Sequence, residues 1–225
     1  MTDSAHSNWA TDPRHALWCI TFTRDVTPTD VLRRYGADPG TAQLRAHADT
    51  REFYERIMGA GTVLRVGQLG AWSFCYEDAG AAGSRPGLLS SLSQGTETLS
   101  LLKGGDGMNI LAVWSGGRRE EAFEPGVFGR RPQKGHELWD LVQHSTTEQP
   151  RIVAALQAIA RYTGVLLDDA RIAGPLLTAC LADADRISDP TPQPARPSLP
   201  KNGNRPLGRS LGYFLPAGQE ENGFP

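Results

Sequence analysis

The sequence predicts an α+β domain, an antiparallel sheet of about six strands flanked by helices, and three observations carry that prediction. Period-two apolar runs follow one another across short glycine turns, a connection open only to antiparallel strands. Helix signatures are grouped before and after these runs instead of alternating with them. The composition then changes abruptly near Arg186: eight of the chain's 16 prolines lie from Pro190 onward. The expected layout is a flexible arm over residues 1–14, a globular domain over 15–186 and a disordered proline-rich tail over 187–225.

Each element has its own signal. Residues 15–23 alternate, with Leu17, Cys19 and Thr21 on one face and Trp18, Ile20 and Phe22 on the other, which predicts a strand. Thr27, Pro28 and Asp30 mark a helix start, with a hydroxyl cap, a proline at the first helical position and a capping-box acid. Gly36 should end that helix. A second helix is expected over residues 41–58, closed by Gly59.

Residues 63–66 and 71–77 read as paired strands, the second with Trp72, Phe74 and Tyr76 on its core side. A short helix over 85–93 precedes the clearest hairpin in the chain, 96–103 with 108–115. Its turn, Gly104-Gly105-Asp106-Gly107, supplies the positive φ angles of a tight reversal. Residues 108–115 are apolar on both faces and read as a central strand. Residues 118–123 alternate in charge and read as a sheet edge, where charge deters unwanted pairing.

Further helices are expected over 135–144 and, most clearly, 148–163. In the latter, Ile152, Val153, Leu156, Ile159 and Ala160 share one face and Gly164 follows. A last helical stretch is expected from Asp168 toward Asp185, kinked at Gly174-Pro175.

Composition narrows the setting. The chain is 39% hydrophobic and 21% charged, as in ordinary globular proteins. A net charge of −2 leaves no bulk field for nucleic acid or an anionic membrane. No apolar run reaches the ~20 residues of a membrane helix, and no signal peptide opens the chain. Cys19, Cys75 and Cys180 are far apart and odd in number, which argues against a disulfide framework and for a cytoplasmic protein. Only three of the 23 basic residues are lysines (Lys103, Lys134 and Lys201), a usage associated with high-GC bacteria.

Familiar catalytic patterns do not occur. There is no phosphate-binding loop, dinucleotide fingerprint or Gly-x-Ser-x-Gly elbow, and the five histidines show no metal-ligand spacing. No cofactor, catalytic residue or metal ligand is assigned. Cys75 with His136 would be a thiol–imidazole pair only by chance. The carboxylate pairs Glu77/Asp78, Glu120/Glu121 and Asp168/Asp169 each fit a structural role, at a strand end, an edge strand and a helix start.

What remains are candidates for protein contact. Arg118 with Arg119 and Arg130 with Arg131 suit an anion or an acidic partner. Among the tryptophans, Trp139 and Trp9 are the better exposed anchors, since aromatic anchors dominate interfaces. In the tail, Leu211 to Pro216 forms an apolar island around Tyr213 and Phe214 that suits a short docking motif. From Arg186 on, five basic residues face three acidic ones. The tail is thus +2 and the body −4, so a basic partner is also an expectation.

Several strings resemble a large uncharacterised actinobacterial family common in Streptomyces. They are Trp18 to Phe22, Thr27-Pro28, Val31 to Pro39, Leu92 to Glu97, Phe123-Glu124-Pro125 and Tyr162 to Val165. The family tends to read Phe-Asp-Pro where this chain has Phe123-Glu124-Pro125. Its members carry a domain of unknown function, so the resemblance implies a fold and a source, not an activity. Two functions follow as expectations. The first is a non-catalytic protein-binding module, such as an immunity-type inhibitor or regulatory partner in a bacterial conflict locus. The alternative is an enzyme or small-molecule sensor whose site is assembled from residues distant in sequence, among them Arg118, Glu120, Asp106 and His136.

Overall fold

The computed structural model describes residues 8–57, 61–127, 135–145 and 149–182. The tail, Arg130, Arg131, Tyr213 and Phe214 lie outside the described residues.

Period-two segments become strands β1 (Trp18–Arg24), β3 (Gly61–Leu69), β4 (Trp72–Asp78), β5 (Glu97–Lys103), β6 (Asn109–Ser115) and β7 (Arg118–Phe123), the six expected. Two more join them, β2 (Gln43–Arg45) and β8 (Leu176–Ala182). All pair antiparallel in one sheet of order β2-β8-β3-β4-β1-β5-β6-β7. The fold is α+β, as the grouping of helices implied.

The helices are α1 (Asn8–Thr11), α2 (Pro28–Tyr35), α3 (Arg51–Ile57), α4 (Pro86–Leu92), α5 (Glu137–Ser145), α6 (Arg151–Thr163) and α7 (Asp169–Ala173). Helix α2 has the ends read from the sequence. The Thr27 hydroxyl accepts from the Asp30 amide and donates to the Asp30 carboxylate at 2.7 Å, and Gly36 closes it at φ +89°.

Two expected helices are corrected. Residues 41–58 break into a 3-10 turn, strand β2, a second 3-10 turn and only then α3. The stretch from Asp168 gives a five-residue α7, and β8 follows. Pro175 supplies the reason: it cannot extend a helix and it holds the preceding residue extended, and Gly174 sits at φ −69°, ψ 178°. What was read as a kink is a change of element. Strand β8 is apolar on both faces because it lies inside the sheet, between β2 and β3.

The sheet is covered on both sides. One face carries Trp18, Ile20, Phe22, Phe74, Tyr76, Leu99 and Leu101 against α5, α6 and Trp9. The other carries Leu64, Val66, Cys75, Ala112 and Trp114 against α2 and α4. Strand β6 is therefore buried on both faces, as its sequence implied, but it is next to the β7 edge and not central. Trp9, expected as an exposed anchor, is buried at 7% exposure, with its ring 4.8 Å from Trp18 and 5.6 Å from Tyr76. An indole beside an early strand has more apolar area to bury than a polar arm suggests.

Candidate functional site

Strand β7 is the sheet margin that carries Arg118 and Arg119, two of the expected contact residues. Register runs Val113↔Glu121 but Trp114↔Arg119, so Glu120 is the extra residue of a bulge. A bulge and charged side chains both blunt an edge against strand addition. Arg118, Arg119 and Glu120 are exposed, and neither arginine forms an ion pair with a described residue. At the far end of β7, Phe123 packs edge-on against Trp139 of α5, ring centroids 4.8 Å apart. Trp139 is half-buried, so it presents only part of its indole.

Behind this margin a polar network fixes the start of α5. The backbone N–H of His136 donates to Glu121, and His136 Nδ1 accepts from the Leu138 amide at 3.2 Å. With Nδ1 an acceptor, the proton of the neutral ring lies on Nε2, which faces Glu97 Oε1 at 3.6 Å. The Tyr162 hydroxyl donates to the same oxygen at 2.6 Å. Burial alone would raise the Glu97 carboxyl, but the bonds from His136 and Tyr162 outweigh it and hold it below its usual range. Burial and the Glu97 charge push the Tyr162 phenol upward. The network ties β5, β7, α5 and α6 together and sets Trp139 over Phe123. Glu121, 5% exposed, keeps one carboxylate oxygen without a hydrogen-bond partner.

A second constellation was not legible in the sequence. His15, just before β1, places Nδ1 3.1 Å from Asp78 at the end of β4. His47, in the 3-10 turn before α3, places Nε2 3.6 Å from the other Asp78 oxygen. The Tyr76 hydroxyl donates to Asp78 at 3.4 Å. Lys103 Nζ anchors the segment through the carbonyls of Ala10 and His15, at 2.9 and 2.8 Å. Burial raises the Asp78 carboxyl, but hydrogen bonds from His47 and His15 bring it below the ordinary value. These residues meet only because Trp18 pairs with Asp78 across β1 and β4. Among the described residues no group of three or more His, Cys, Asp or Glu is placed to hold a metal ion.

The neighbouring carboxylate, Glu77, points to the opposite face and is fully buried. It accepts from the amides of Ala82 and Gly83, both at 2.7 Å, and from the Tyr35 hydroxyl at 3.1 Å. Desolvation outweighs those three bonds and raises its pKa to about 7. A Cβ at Gly83 would lie 2.6 Å from the Tyr35 hydroxyl and 2.7 Å from Glu77 Oε1, so glycine is required for this loop to close on the carboxylate. The role is structural: Glu77 staples loop 79–85 to the sheet.

Cys75 and His136 do not meet. The thiol is buried on the α2/α4 face, with its pKa driven up by desolvation, while His136 belongs to the opposite face. Nor do the polar groups named for a dispersed site line any of the described clefts. The clefts described, of about 350, 550 and 420 Å³, have none of Asp106, Arg118, Glu120 and His136 in their walls.

The features thus define a two-faced α+β sheet protein with a charged, bulged margin. It belongs to DUF6461, a family of unknown function whose profile matches residues 5–145. No curated protein and no solved structure matches the chain. The matched segment ends with α5, so α6, α7 and β8 lie beyond it although β8 lies inside the sheet. Among the described residues no helix is long and apolar enough to cross a membrane.

Proposed function

We propose that this protein is a non-catalytic protein-binding module that docks an acidic segment of another protein on the β7 margin. One observation carries the reading: Arg118 and Arg119 are exposed at the start of β7 with no ion pair to a described residue, on a strand whose far end meets the half-buried Trp139. Tryptophan and arginine are the side chains that most often dominate protein interfaces. The −4 charge of the body would favour a basic partner. At physiological salt, however, fields fade over ~8 Å, so the net positive charge of Arg118 and Arg119 beside the single exposed Glu120 outweighs acids farther away. The blunted edge favours side-chain recognition over strand addition. Service as an immunity-type inhibitor or regulatory partner fits such a surface. A cytoplasmic, actinobacterial setting accords with the three free thiols and the arginine-rich composition.

The test is capture from the source cell with the full chain and with the double variant Arg118→Glu/Arg119→Glu. The wild type should retain a stoichiometric partner that elutes with rising salt, and the variant should not. Recovery of the wild type alone, or equal capture by both proteins, would sink the proposal.

A second reading, a small-molecule site assembled from distant residues, is favoured by the meeting of His15, His47 and Asp78. It would use Asp78 to orient two imidazoles for proton transfer.

A further inference from the structure

Away from the β7 margin, the other end of the sheet holds an apolar cleft of about 550 Å³. Its position follows from strand lengths. Strand β3 runs to Leu69, but its pairing with β8 stops at Val66↔Leu177, so the last residues of β3 have no neighbour on that side. Pro28 at the start of α2 closes one wall and α7 the other. The apolar lining is Pro28, Leu44, Val66, Phe74, Leu176 and Leu177.

Two features single this cleft out. Leu44 on its rim is 63% exposed, the most exposed large apolar side chain among the described residues. On the same rim, Arg171 is exposed, and its guanidinium forms no ion pair or hydrogen bond with a described residue. The backbone N–H of Arg171 is already used, donating to the Asp168 cap, so only the side chain is available to a ligand. A cleft of this volume, apolar with one convergent charge, has the size and chemistry of a small-molecule site and is small for a protein interface.

We infer that this cleft binds a small amphiphilic organic anion, a carboxylate carrying a medium-length aliphatic or aromatic tail. The tail lies along the open side of β3 against the partly buried Leu177 and covers Leu44, and the carboxylate meets Arg171. The cleft is at the opposite end of the sheet from Arg118 and Trp139, so this inference does not depend on the protein-binding reading.

The test is calorimetric titration of the full chain with octanoate and with its neutral counterpart, octanamide. Octanoate should bind at one site per chain with a negative heat-capacity change, the mark of apolar burial. It should bind about threefold more tightly than octanamide, the scale of one solvent-exposed charge pair. Arg171→Gln should abolish that preference while leaving octanamide binding intact, and Leu44→Asp should weaken both ligands at least tenfold. Both residues are exposed, so unchanged thermal unfolding confirms that the variants fold. Absence of saturable octanoate binding, equal affinity for the two ligands, or binding indifferent to both variants would each overturn the inference.

Discussion

The two ends of the sheet are built by different routes. From β5 to β7 each strand pairs with the next in sequence, across turns of a few residues. At the other end β8, close to residue 180, is threaded between β2 and β3, more than a hundred residues earlier in the chain. The first end is encoded locally, in alternation and glycine turns. The second is held by contacts that cost more loop-closure entropy before they form. The candidate recognition surface lies on the local end and the apolar cleft on the threaded end, so function and stability should respond differently to changes in each.

The largest effect is expected in β8. Thr178 is fully buried and pairs with Gln43 on one side and Arg65 on the other. Thr178→Pro removes a ladder donor inside the sheet and should cost about 3 kcal/mol or more in urea unfolding. A cost under about 1 kcal/mol would mean that β8 is dispensable, and the contrast between the two ends would collapse.

Next comes Glu77, on β4 in the middle of the sheet. Its folded pKa of about 7 lies above the unfolded value near 4.5. A raised carboxylate pKa means that the folded state binds the proton more tightly. The resulting stability is present below pH 4.5 and is lost as pH rises through about 7, roughly 3 kcal/mol in all. Unfolding free energies measured from pH 4.5 to 8 should fall by about that amount, and Glu77→Gln should flatten this part of the profile. A rising profile for the Glu77 contribution would show that its three hydrogen bonds outweigh desolvation.

A smaller effect belongs to the local end. Gly107 closes the β5–β6 hairpin at φ +88° with open space around a would-be Cβ. Gly107→Ala should therefore cost only the backbone penalty, about 1 kcal/mol. Because that turn organises its hairpin locally, the loss should appear chiefly in the refolding rate of a stopped-flow chevron. The smallest effect is that of Arg118→Glu/Arg119→Glu, within about 0.5 kcal/mol of wild type in thermal unfolding.

How much was legible in the sequence follows the same division. The strands at 18–24 and 97–123 were readable because alternation and glycine turns act within a few residues, and α2 because Thr27, Pro28 and Gly36 cap it locally. Strand β8 was not readable, since Leu-Leu-Thr-Ala-Cys-Leu-Ala has helix-forming residues and no alternation once both faces are buried. Only Gly174-Pro175 marked the break. Strand β2 is three residues long, too short for any period. Arg118 and Arg119 were found as exposed side chains on a charged edge, and Trp139 as a half-buried indole on the helix read over 135–144. The joining of Glu97 with His136, or of His15 and His47 with Asp78, depends on strand register, and no local signal carries it. Glu77 and Asp78 show this most plainly. They are adjacent in sequence, face opposite sides of the sheet and have pKa values shifted in opposite directions.

The central claim is that recognition belongs to the β7 margin, separate from the end of the sheet that β8 closes. A matched pair of charge reversals tests it most directly. Arg118→Glu/Arg119→Glu alters the margin, and Arg45→Glu/Arg51→Glu alters the half-buried Arg45 of β2 and the exposed Arg51 of α3, which already pair with Glu52 and Glu55. Partner capture from the source cell should be lost at least tenfold in the first variant and kept in the second, with both unfolding near the wild-type temperature. Loss in the second and retention in the first would contradict the account.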